Sequence, residues 1–169
     1  MTQHLTDSAR NGLTNAVDNV LIALQDPAGG EVLQTFKADP LSIVARFGGP
    51  VNALDTESQA ELGSALRKLP IPDRSHPDLL DAVSWSCIGC EAGLNVVIVG
   101  AGGIAAILVA AAAGPEVLAA SAVVVAIAEF TGIAATAVAG ILMGVIGGGV
   151  LVGLEAAVAA ICEATGACA

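Results

Sequence analysis

Apolar and polar side chains recur at helical spacing through the first third of the chain. Leu5, Ala9, Leu13, Ala16, Val17, Val20, Leu21 and Leu24 share one face over residues 5–24, with Asp7, Arg10, Asn11, Asn15 and Asp18 opposite. Asp26-Pro27 and Gly29-Gly30 predict the end of that helix. A shorter stripe, Val32, Leu33 and Phe36, leads to Asp39, which is placed to cap the next helix. Pro40 suits its first position, where a missing N–H costs nothing, and Leu41, Val44 and Phe47 continue to a stop at Gly48. Thr56 and Gln59 then read as a capping box before Leu62, Ala65, Leu66 and Leu69. Residues 1–69 are thus expected to form three or four short amphipathic helices.

Pro70, Pro72 and Pro77, with Asp73, Arg74, Ser75 and His76 among them, interrupt this periodicity. Closely spaced prolines favour extended backbone and exposed polar residues invite proteolysis, so 70–77 is expected to be a cleavable linker. His76 has no partner at ligand spacing and reads as a solvated loop residue. Beyond it, Pro77 can start a helix carrying Leu79, Leu80, Val83 and Trp85 towards Cys87.

From Cys87 to Cys168 almost every residue is Ala, Val, Ile, Leu or Gly, and 92–114, 117–128 and 130–154 hold no charge. A helix apolar on every face belongs in a core or a membrane. Two of these runs reach the roughly 20 residues that a bilayer crossing needs. Gly114-Pro115-Glu116 predicts a stop and restart that makes a helical hairpin, and further breaks are expected near Phe130-Thr131-Gly132 and at Gly147-Gly148-Gly149, before a last helix over 150–162. The expected fold is all-α. A leader-like domain spans 1–69, the linker 70–77, and an apolar Ala/Gly-rich helical hairpin bundle 78–169.

Charge sharpens the division. All six basic residues lie in 1–74, against nine acidic ones there, a net of −3, while the rest of the chain holds seven acidic residues and nothing basic. Phosphate binding needs Lys and Arg, so nucleic acid is excluded as a partner of the second half. Trp85, Phe36, Phe47 and Phe130 are the only aromatics, and neither an aromatic belt nor a positive-inside signal marks a resident membrane protein. No basic n-region precedes an apolar stretch at the N-terminus, so export is expected through a leader read by a dedicated transporter or protease.

Four cysteines bracket the apolar half: Cys87 and Cys90 open it, Cys162 and Cys168 close it. Disulfides, a zinc site, thioethers and free thiols are all open uses. Zinc would take two half-sites, but the spacing of Cys162 and Cys168 is loose for a knuckle. Thioredoxin-like chemistry wants its CxxC after a strand, and no strand is expected. Disulfides are the simplest physical use. Three pairings are possible, and those joining the two ends close loops of about 70–80 residues, worth on the order of 4–5 kcal/mol.

Gly140, Gly144 and Gly148 recur every four residues, with Gly149 and Gly153 as a second pair, which bares helix backbone for close association in a membrane or for tight packing within a bundle. Gly100-Ala101-Gly102-Gly103 lacks the strand, the full spacing and the acidic residue of a dinucleotide turn. Glu116, Glu129 and Glu155 are expected at helix ends on the surface. His4 and His76 both lie outside the apolar half, and no catalytic set, metal ligand set or cofactor motif emerges, so the chain is not expected to be an enzyme.

Two resemblances add to this. FKADPLSIVARFG followed by DTESQAELGSAL, within about residues 30–69, resembles the small helical leader related to the nitrile hydratase alpha subunit and to LigA-type dioxygenase subunits. In some ribosomally made peptide precursors such a segment is bound by processing and export machinery, which the resemblance therefore implies as a partner. The metal-binding cysteine cluster of nitrile hydratase has no counterpart in 1–80. Residues 84–169, opening on SCIGC, resemble halocin-type helical, cysteine-containing antimicrobial proteins, which carry more cysteines than these four. Together they imply a bacteriocin precursor: a secreted, pore-forming antimicrobial protein, freed from its leader, whose helical core inserts into target-cell membranes, with a homo-oligomer there as one expected state. The rival expectation is a non-toxic, self-associating or membrane-resident structural subunit whose helices pack through a glycine zipper.

Overall fold

Short-range cap chemistry sets the helix boundaries. The structure, a computed structural model, describes residues 5–26, 29–71, 84–147 and 154–168. The Thr6 hydroxyl accepts from the Ala9 amide at 3.1 Å and starts α1, Asp7–Gln25. After α2, Gly30–Ala38, Asp39 accepts from the Ser42 amide and Pro40 takes the first position of α3, Pro40–Arg46. Gly48, at φ +89°, turns the chain into a single 3₁₀ turn, Val51–Ala53. Helix α4, Thr56–Arg67, differs from expectation in its cap. Asp55, one residue before the expected Thr56, accepts from the Ser58 amide at 2.7 Å, while the Gln59 amide group donates to the Leu54 carbonyl at 2.9 Å. A carboxylate is favoured at a helix N-terminus because it meets both the free N–H groups and the dipole.

The apolar half forms six more described helices: α5 (Trp85–Gly100), α6 (Gly103–Ala112), α7 (Pro115–Ala120), α8 (Ala122–Thr131), α9 (Ala135–Gly147) and α10 (Leu154–Ala164). The described residues are all-α, with no strand. Gly114-Pro115 and Gly132, the latter left-handed at φ +77°, break the chain where expected. Two other breaks were not expected. The run 92–114 divides at Ala101-Gly102, and Ser121 separates α7 from α8, its hydroxyl donating to the Leu118 carbonyl at 2.6 Å and accepting from the Val124 amide at 3.4 Å. Residues 148–153 lie outside the described residues, and the last helix is described from Leu154 rather than from 150.

Helix α5 is the axle. Every residue from Ala92 to Gly100 is buried, so over that stretch the helix is enclosed on all faces. Its neighbours are α1 and α4 from the first half and α6, α8 and α10 from the second. Leu13, Val17, Leu62 and Leu66 belong to the same hydrophobic cluster as Leu94, Ile98, Ile127 and Ile161. Described residues of 1–69 and of 78–169 thus share one hydrophobic cluster, and α1 and α4 complete the burial of α5. Over 92–100 only Asn95 is polar, so α5 has no face to turn to water there, and the apolar stripes of α1 and α4 are its complement. The linker expected at 70–77 is described only at Pro70 and Ile71; the remainder lies outside the described residues.

Candidate functional site

The four cysteines meet at one end of α5. Ser84 caps the helix by accepting from the Cys87 amide, and the next two turns present Cys87 and Cys90. Cys162 lies near the end of α10, and a turn through Gly166, at φ +84°, returns the chain so that Cys168 meets the first cysteine. Two disulfides form, Cys87–Cys168 with Cα atoms 4.5 Å apart and Cys90–Cys162 at 5.9 Å. One bridge is nested inside the other. Every cysteine is occupied by another, so none offers a thiolate to zinc or to thioether chemistry. Thr165 donates to the Cys162 carbonyl at 2.8 Å, and Ser86 donates to the Ala167 carbonyl at 3.1 Å, which fastens the closing turn to the start of α5. Both bridges lie wholly within the second half; no disulfide ties it to residues 1–69.

What joins the halves is packing and a few polar contacts. Arg10 of α1 approaches Glu129 of α8 at 4.0 Å, and Lys68 pairs with Glu155 of α10 at 3.3 Å. Each exposed pair contributes about 0–1 kcal/mol. Near the Lys68–Glu155 pair is a recess of about 220 Å³, whose wall includes Glu91 and Asn95. Asn95 is 4 % exposed and its Oδ1 has no hydrogen-bond partner among the described residues.

Two contacts come from the first half onto the break between α5 and α6. The Leu5 amide donates to the Gly100 carbonyl at 2.8 Å, and Glu61 Oε1 of α4 accepts from the Ile104 amide at 3.0 Å. Sequence reasoning missed both, and no local pattern signals a contact across 43 residues or more.

Helices α6, α7 and α8 leave an open groove of about 500 Å³ lined by Ala105, Val109, Ala113, Val117 and Val123. Val109 is 74 % exposed. Gly140 and Gly144 both lie on the exposed side of α9, and a Cβ built on either would have open space around it. They do not serve helix packing inside this fold. Gly148, Gly149 and Gly153 lie outside the described residues. Glu116 and Glu155 stand in the first turns of α7 and α10, and Glu129 in the last turn of α8, all exposed.

No single described helix is long and apolar enough to cross a membrane, but two bent pairs are so together: α5 with α6, at 71°, and α8 with α9, at 112°. No protein-family model matches the sequence, and comparison with curated proteins and with solved structures yields no match. Function is therefore read from the chain's own geometry.

Proposed function

We propose that the chain is the precursor of a secreted, bacteriocin-like antimicrobial protein, whose C-terminal helical part is released by cleavage between about 70 and 84 and permeabilises target membranes. The observation that carries this is the enclosure of α5. A helix whose buried stretch 92–100 is apolar but for Asn95 is covered on one side by α1 and α4, from the half of the chain that holds all the Lys and Arg, and that cover is bound by no disulfide. Cleavage of the linker leaves the two parts held by noncovalent contacts alone. Loss of α1 and α4 then bares the apolar surface of α5, whose transfer out of water is worth about 25 cal/mol per Å². A nearby bilayer takes that surface up. The uncharged runs 92–114 and 130–154 are the segments that insert, and the bridges keep the inserted part closed at one end.

Trypsin supplies a direct test, because no Lys or Arg follows Arg74 and residues 75–169 survive complete digestion. Trypsin-treated protein added at micromolar concentration to dye-loaded vesicles releases the dye, and the intact chain does not. Absence of leakage after digestion refutes the proposal. Intact mass from a producer's medium then shows whether such a fragment is the natural product.

The open side of α9 favours one other reading, a structural subunit that associates through Gly140 and Gly144 without cleavage or toxicity. That reading predicts a full-length oligomer and silent vesicles.

A further inference from the structure

The break between α5 and α6 is made by Gly100-Ala101-Gly102-Gly103, with Gly102 at φ +117° and Gly103 at φ +76°. Glycine adopts those angles without steric cost, and adopts right-handed helical angles as well, so this hinge permits a bent and a straight form. In a continuous helix each N–H donates to the carbonyl four residues earlier, so Ile104 would donate to Gly100. In the structure both groups of that missing bond are taken, and both are taken by the first half. The Gly100 carbonyl accepts from the Leu5 amide at 2.8 Å, and the Ile104 amide donates to Glu61 Oε1 at 3.0 Å. The fit is close on each side. A Cβ on Gly100 would stand 3.0 Å from Leu5 Cδ1, and a Cβ on Gly103 would run into the Glu61 carboxylate. Helix α6 has no side-chain cap of its own at Gly102, so Glu61 is the group that satisfies its second N–H.

We propose that residues 1–69 lock the α5–α6 bend by intercepting the Ile104–Gly100 hydrogen bond, and that their removal lets 85–112 become one helix in a membrane. Leu5 and Glu61 are positioning residues. They hold the two halves of a bond apart, and release pairs them with each other. This rests on the membrane reading above and adds how the first half keeps the second inactive.

The test is a distance across the hinge. Spin labels carried on ketone side chains at Ser86 and Ala112, both exposed, leave the disulfides untouched. At 1.5 Å per residue and a 71° bend the backbone sites are about 32 Å apart, against about 39 Å in a straight helix. Intact protein mixed with phosphatidylcholine vesicles is expected to stay near the shorter value. Leu5→Pro, which removes the N–H donor, combined with Glu61→Ala is expected to move the population to the longer one in the same vesicles. Trypsin-treated wild type is expected to do likewise and requires no variant to fold. A trypsin-treated chain that binds vesicles and stays near 32 Å overturns the lock, as does intact wild type that lengthens unaided. Leakage without lengthening overturns the lock and leaves the membrane reading standing; lengthening without leakage supports the lock and overturns permeabilisation.

Discussion

The nested bridges make a quantitative prediction about how they share stability. Their sequence separations are 81 and 72 residues, so the outer bridge extends the inner by only nine. In the unfolded chain either bridge alone closes the long loop, which the chain-entropy relation places at about 4.4 kcal/mol. Once one is closed, the other closes only the short ring made by 87–90, 162–168 and the existing bridge. For about ten residues the same relation gives about 2.7 kcal/mol. Removing either pair therefore costs about 2.7 kcal/mol of loop entropy, and removing both about 7 kcal/mol, which exceeds the sum of the single losses by about 1.7 kcal/mol. Cys162 is fully buried, so its replacement also loses packing. That loss enters the single-pair and the combined variants alike and cancels in the double-mutant cycle. The assay is denaturant unfolding, with linear extrapolation, of the wild type, Cys87→Ala/Cys168→Ala, Cys90→Ala/Cys162→Ala and the combination of all four. Losses that add, or a combined loss smaller than the sum, refute the nested-loop account.

Three further outcomes follow from named groups. Asp55→Ala removes the carboxylate that accepts from the Ser58 amide and lowers stability by about 1 kcal/mol in the same unfolding assay, without altering the bridges. Asn95→Leu replaces a buried acceptor that has no partner with an apolar side chain and raises stability by about 1 kcal/mol; a loss of stability would show that Oδ1 is satisfied after all. Residues 75–169 carry acidic residues and no basic ones, so anionic lipid in the vesicles slows dye release and added salt restores it, the reverse of what a cationic peptide does.

Local chemistry announces itself in this chain, whereas tertiary partnership does not. Asp39-Pro40, Gly48, Gly114-Pro115 and Gly132 could be read as boundaries because a cap, a fixed φ or a left-handed turn is a property of one or two residues. Asp55 displaced Thr56 as cap through the same chemistry, with a stronger acceptor one position earlier. The break at Ala101-Gly102 was signalled by its glycines, but amid uninterrupted apolar residues the run reads as one helix. Pairing of the cysteines was illegible for a different reason. Four cysteines permit three pairings, and only the folding-back of α10 beside α5 selects one. Nor could sequence pattern single out α5 as the axle, since a stretch apolar at all but one position, as 92–100 is, names no face and hence no partner.

On the proposed membrane reading, the bridges also restrict how the released part would cross a bilayer. They hold the start of α5 against the end of α10, so those two ends must finish on the same side, and the chain between them must cross an even number of times. The uncharged runs meet that condition. Residues 92–114 leave from Glu91 and arrive at Glu116; residues 130–154 leave from Glu129 and return to Glu155, beside the bridged end. Four carboxylates would then stand at the four ends of two crossings, where water remains within reach. A charge placed within a run has no such escape. Gly140 lies near the middle of the second run, yet in the folded chain it is exposed with open space about it, so Gly140→Asp is accommodated there. In an inserted helix an aspartate at the centre costs about 2.5–3.5 kcal/mol. At 1.36 kcal/mol per tenfold change, dye release falls by roughly 70- to 400-fold. Gly140→Ala serves as control: it keeps the run apolar and separates insertion from close helix association. A Gly140→Asp protein that unfolds like the wild type and still releases dye at the wild-type rate would place the second crossing elsewhere or remove it.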